Sequence, residues 1–200
     1  MNANAFLEAV RSRRTIYSIS KDTQVGQERI EQIVREAVKH TPSAFNSQSA
    51  RVLVLFGEQH DKLWDITLGV LKAIVPPDSF ASTEKRIGSF RAGYGSILYF
   101  EDQSDVEALQ AKFPSYAERF PTWSQQSSGM LQYVIWTALE LEGLGASLQH
   151  YNPLIDELVR SEWDIPATWQ LIAQMPFGQP AAPPGDKEFK PVDERVKVHQ

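Results

Sequence analysis

From Ser124 to Gly143 the chain reads SQQSSGMLQYVIWTALELEG, a segment with helical periodicity whose second half is apolar around most of its circumference. Met130, Leu131, Val134, Ile135, Ala138, Leu139 and Leu141 are joined there by Tyr133 and Trp136. An ordinary surface helix hides one stripe, so a helix of this kind must be covered on several sides. In a chain of 200 residues, that places it either at the centre of the domain or in a subunit interface. Gly143 and Gly145 suit its termination.

The remaining pattern alternates helices with strands. Residues 4–13 predict a short helix with Phe6, Leu7 and Val10 on one side. Residues 27–40 predict a clearer one, with Ile30, Ile33, Val34, Ala37 and Val38 at helical spacing. A strand follows at 51–56, then a helix near 59–74 stopped by Pro76-Pro77, a strand at 95–101 and a short helix near 104–112. Beyond the apolar helix lie a helix at 153–160 and a strand at 168–175. Residues 180–191 are proline-rich and extended, and Val196 and Val198 alternate in the last stretch. This order predicts a layered α/β or α+β fold in a single domain, with a tail that has little of its own domain to pack on.

Several chemistries are excluded early. The chain has no cysteine, which removes disulfides, thiolate catalysis and cysteine-based metal sites. A net charge of -5 gives no reason to expect nucleic acid or an anionic membrane. No stretch has the length of a membrane span or the form of a signal peptide, so a cytoplasmic protein is expected. The four histidines, at 40, 60, 150 and 199, lack metal-ligand spacing, and no metal site is expected. The GxSxG and phosphate-loop motifs are missing, and Gly93-Tyr94-Gly95 reads as a turn before a strand.

Three segments carry chemistry. Arg11-Ser-Arg13-Arg14-Thr15 places cations and a hydroxyl at the end of the first helix. This is either favourable placement against the helix dipole or a grip for an anion. The stretch TPSAFNSQSARVLVLF sets Ser43, Asn46, Ser47, Gln48 and Ser49 directly before a buried strand. Such side chains either satisfy their own loop or read the edge of a heterocycle, because amides both donate and accept. GLGASLQHYNP, residues 143–153, combines glycines with the flat faces of His150 and Tyr151.

In this order the segments resemble the motifs of the FMN-dependent nitroreductase family. RRTIYSIS is similar to its N-terminal Arg-Arg-Ser motif, and PSAFNSQSARVLVL to its Pro-Ser-x-x-Asn-x-Gln-Pro-Trp motif. EGLGASLQHYNP and PFGQPAAPPGDKEFKPVDERV complete the match over essentially the whole chain. The short length and the 120–153 segment look most like the small branch named for a fatty-acid-repression mutant. The resemblance implies an α+β fold: a three-layer α/β/α sandwich with a central, mostly antiparallel sheet, in an intertwined homodimer. Its two FMN sites lie in the interface, and the tail from about 180 to 200 extends over the partner.

By resemblance, Arg13, Arg14 and Thr15, with Tyr17 close by, fall where FMN phosphate and flavin or ribityl oxygens are bound. Ser43, Asn46 and Gln48, with the neighbouring Ala44 and Phe45, serve the flavin held mainly by the other subunit. Gln149, His150 and Tyr151 approach the reactive N5 side, and Lys187 and Arg195 are phosphate contacts from the tail. Phe113, Tyr116, Phe120 and Trp123 either wall the substrate pocket or pack the core. The chain departs from the family at Tyr17 and Phe189, where basic residues are common, and at Ser49-Ala50, which replaces Pro-Trp.

The function implied is an NAD(P)H oxidoreductase that reduces nitroaromatic or quinone-like acceptors by a ping-pong hydride mechanism. No side chain serves as dedicated acid or base, since the flavin carries the chemistry. The alternative is a flavin-binding regulatory protein in lipid or stress signalling.

Overall fold

Residues 2–200 are described by a computed structural model of the chain. Helix α1 (Ala3–Ser12) and the two-residue strand β1 (Ile19–Ser20) precede helix α2 (Gln27–His40). Strand β2 (Ala50–Phe56) runs directly into helix α3 (Gly57–Ile74), which is followed by α4 (Pro77–Arg91) and strand β3 (Gly95–Asp102). Helices α5 (Gln103–Lys112) and α6 (Phe120–Leu141) lead to strand β4 (Gly145–Ala146), helix α7 (Asp156–Glu162) and strand β5 (Trp169–Pro180).

The five strands form one sheet in the order β1-β5-β3-β2, with β4 also paired to β5, and every pairing is antiparallel. β3 is buried at all its residues and lies between β2 and β5. Its alternation distributes side chains to two cores. Ile97 and Tyr99 join Ile30, Val34 and Ala37 of α2 and Leu131, Ile135 and Leu139 of α6 on one face. Leu98 and Phe100 join Leu63 and Trp64 of α3, Ile87 and Phe90 of α4 and Val159 of α7 on the other. Helices therefore cover both faces of the sheet, and the layering is the expected α/β/α. Burying a side chain such as Trp64 or Phe90 completely contributes on the order of 2–3 kcal/mol.

Two expectations need correction. The prolines at 76 and 77 do end α3, but Pro77 also opens α4, a helix absent from the sequence-based expectation. Proline fits a first helical turn because its missing N–H would have no partner there. The last strand is longer than 168–175: it continues to Pro180, where β1 and β4 pair with its final residues. Gly178 makes that junction possible, since a Cβ there would lie 2.4 Å from the Ser20 carbonyl oxygen.

The apolar helix α6 occupies the predicted place. Leu131, Ile135 and Leu139 face the sheet, but Met130, Val134 and Leu141 remain exposed in the single subunit. Phe6 and Leu7 of α1 and Val38 of α2 are exposed too. Residues from Ala181 onward run along the surface, with Phe189, Val192, Val196 and Val198 largely uncovered.

Candidate functional site

The end of α1 delivers Arg13 and Arg14 to different surroundings. Arg13 caps the helix, its backbone N–H bonded to Ala9. Its guanidinium lies over the Trp136 ring of α6, 4.4 Å from the centroid, with Tyr133 at 5.7 Å. The buried Nε–H of Arg13 and the buried indole N–H of Trp136 both lack a hydrogen-bond acceptor. Arg14 donates instead to the Gly185 carbonyl of the tail. It lines a cleft of about 450 Å³ with Ser12, Ile16, Glu140, Gly145 and residues 180–184. Thr15 bridges to Ala146, so the arginine segment is laid against β4.

The Gln149–Tyr151 segment is fixed by β5. Gln149 and Gln174 exchange backbone hydrogen bonds of 2.7 and 2.9 Å, and the side-chain oxygen of Gln174 accepts from Tyr151 N at 2.8 Å. Gln149 itself donates from Nε2 to Ser147 Oγ. Burial raises the Tyr151 phenol above its usual range, and the ring packs edge-on against Trp64. His150 is exposed. Gln149 and Tyr17 share a cleft of about 480 Å³ with Ser82, Lys85, Arg86, Ser89 and Phe90. The α4 side chains here were missed by sequence reasoning, although Pro77 at a first helical turn was a legible start signal.

The polar loop before β2 is a strained turn. Phe45, Asn46 and Gln48 all have positive φ, at 55°, 52° and 50°. Each such non-glycine residue costs on the order of 1 kcal/mol, so three in four positions need strong local support. Ser43 Oγ accepts from Gln48 N at 3.0 Å, and Arg51 Nη1 donates to the Gln48 carbonyl at 2.7 Å. Phe45 supplies the rest. Its ring lies 4.9 Å from Phe113, 5.2 Å from Phe120 and 5.8 Å from both Tyr116 and Trp123, stacked on the last. The four aromatic residues read either as a pocket wall or as core packing thus converge on the loop's own phenylalanine. Ser43 and Gln48 line a smaller cleft with Val38, Thr41, Arg51 and Leu131, which neither Arg13 nor Arg14 lines.

A buried acid lies beneath this loop. Glu101, at the end of β3, accepts through Oε2 from Ser49 Oγ at 2.6 Å and from Ser124 Oγ at 2.7 Å. Burial raises its carboxyl pKa, against the pull of the two hydroxyls. In the tail, Lys187 is exposed over the Phe189 ring and Arg195 is exposed on the surface. Among the described residues no cluster could hold a metal ion, and no helix is long and apolar enough to cross a membrane.

Known proteins resemble this chain in sequence and in structure. The family model described as Nitroreductase family matches residues 10–179. The HBN1 and FRM2 proteins of Saccharomyces cerevisiae are 41% and 37% identical, each over 92% of this chain and 92% of its own length. The nitroreductase CinD from Lactococcus lactis, solved in complex with chloramphenicol, superposes with a TM-score of 0.90 at 44% identity. That match covers 98% of this chain and 100% of CinD, which was also solved with 4-nitrophenol. A Desulfovibrio desulfuricans structure holding FMN shares the fold at 22% identity and a TM-score of 0.71, over 100% of this chain and 99% of its own.

Proposed function

The chain belongs to the nitroreductase family, and from that premise we propose that it is an FMN-dependent oxidoreductase passing electrons from a reduced nicotinamide dinucleotide to nitroaromatic acceptors. The observation that carries this reading is the 44% identity, over nearly the full chain, to an enzyme solved with two nitroaromatic molecules. FMN, when bound, would supply the hydride-transfer chemistry that the side chains of this chain lack.

The residues present fit that cofactor. Two buried N–H donors, Arg13 Nε and Trp136 Nε1, on side chains that stack on one another, find no acceptor within the subunit, and an anionic group bound there would supply one. Arg14 and Thr15 stand next in the chain, against the tail and β4, and Lys187 is close enough in sequence to Gly185 to join them. The cleft of Tyr17 and Gln149 would receive the ring system, with the backbone of Gln149–Tyr151 held by Gln174. Lys85 and Arg86 give that cleft positive potential, which favours an electron-rich, anionic ring edge. Donor and acceptor use the same open face in turn, so the kinetics are ping-pong.

The active unit is a homodimer. Met130, Val134 and Leu141 on α6, together with Phe6 and Leu7 on α1, form uncovered apolar surface of the kind a second copy hides. Ser43, Asn46 and Gln48 then serve the partner's cofactor, in keeping with Ser43 and Gln48 lining a cleft that Arg13 and Arg14 of their own chain do not line. Its place is the cytoplasm.

The test is spectroscopic. Protein reconstituted with FMN is titrated anaerobically with NADH or NADPH, then with 4-nitrophenol. Bleaching of the flavin band followed by its recovery is expected. A protein that binds no FMN, or whose bound FMN is never reduced, contradicts the proposal.

A further inference from the structure

We propose that Glu101 is the positioning residue of the Ser43–Gln48 loop: its buried carboxyl group, shared by Ser49 and Ser124, sets the strained turn against the aromatic wall. The inference rests on the reading of that loop as a cofactor contact. Ser49 is the first residue after the loop and is 1% exposed; its carbonyl accepts from Asp102 N at 2.8 Å. Ser124 follows Trp123, the ring on which Phe45 stacks. One oxygen atom of Glu101 therefore ties the base of the loop to the base of the cage that holds Phe45. Ser47 Oγ, 3.5 Å from Ser49 Oγ, extends the connection into the turn itself.

Stability alone does not account for an acid here. Glu101 is 0% exposed, and its second oxygen, Oε1, has no hydrogen-bond partner. A buried polar atom left unpaired is costly, and an apolar side chain of similar volume would avoid that cost. What an apolar side chain cannot do is hold two hydroxyls from separate elements at fixed distance. That requirement matters because the positive-φ turn at 45–48 persists only where its surroundings over-determine it. Glu101 thus acts on the cofactor through the loop, without touching it.

Three variants separate positioning from packing. Glu101→Met keeps the volume and removes both hydrogen bonds, whereas Glu101→Gln keeps an acceptor for them. Ser124→Ala removes one arm with little change in volume, and serves if Glu101→Met does not fold. Two properties are read: amide hydrogen exchange of segment 43–49 in the chain without FMN, and the FMN dissociation constant. Glu101→Met should speed exchange in 43–49 by about tenfold while leaving β5 unchanged, since the opening is local. It should weaken FMN about tenfold, Ser124→Ala about threefold, and Glu101→Gln less than either. Faster exchange throughout the molecule, unaltered FMN affinity, or a glutamine variant as impaired as the methionine one would overturn the proposal. A parent protein that binds no FMN contradicts the functional reading instead, and the exchange measurement then decides the role of Glu101 by itself.

Discussion

His60 makes the stability of this fold depend on pH in a direction that its contacts dictate. The side chain is 0% exposed on α3. Its Nε2 lies 3.2 Å from the Arg91 carbonyl, which can only accept, so the ring proton sits on Nε2. Its Nδ1 then accepts from Ser96 Oγ at 2.9 Å, and that hydroxyl in turn accepts from Trp64 Nε1 at 3.0 Å. Protonating Nδ1 would reverse the bond to Ser96 and place a charge in the core. Burial lowers the pKa from 6.5 to about 4, with the Arg91 carbonyl and Asp61 opposing and Lys21 and Arg91 assisting. The unfolded chain therefore binds a proton that the folded chain refuses between these values. Stability is complete above pH 6.5 and falls as the pH drops. The linkage relation gives a loss of about 2 kcal/mol at pH 5 and about 3 kcal/mol at pH 4. Urea unfolding at fixed protein concentration, for the parent and for His60→Gln, isolates this contribution. The stability difference between them should shrink by about 2 kcal/mol from pH 7.5 to pH 5. Parallel pH profiles would refute the buried neutral histidine.

Substitutions at two further positions test the loop and the sheet. Phe45→Ala should destabilise by about 2 kcal/mol through loss of its four ring contacts, and Phe45→Gly should recover about 1 kcal/mol of that by relieving the positive φ; urea midpoints that rank alanine above glycine would contradict the strained turn. Gly178→Ala should cost more than about 2 kcal/mol, because its Cβ would meet the backbone of Ser20 and Tyr94, and thermal unfolding measures it.

What could be read in the sequence was whatever repeats locally. The spacing of Ile30, Ile33, Val34 and Ala37 announces α2, and the apolar runs announce β2 and β3. The all-round apolar character of α6 has a physical counterpart: one side meets the sheet, and the side with Met130 and Val134 is only partly covered within the subunit. Pro77 marks where α4 can start, but only Ile87 and Phe90 of its fifteen residues are buried, too few to make the periodic stripe that would announce the helix. With it went Lys85 and Arg86. Glu101 could not be matched to its partners, which stand 52 and 23 residues away and meet it only through the tertiary fold. The gathering of Phe45 with Phe113, Tyr116, Phe120 and Trp123 is equally non-local: five aromatic residues can be counted in sequence, but which one the others surround cannot.

Mixed dimers test most directly the proposal that each flavin site is built from two chains. One chain carries Arg13→Ala with Arg14→Ala; the other carries Asn46→Gly with Gln48→Gly, glycine being compatible with the positive φ at both loop positions. Either variant alone forms dimers in which every site is damaged. A dimer of one chain of each type has one site with both contributions intact and one with neither. About one FMN per mixed dimer is expected, at a concentration where the two variant homodimers bind almost none. Mixed dimers as empty as the homodimers would show that the arginines and the loop serve one cofactor from the same chain, and would contradict it.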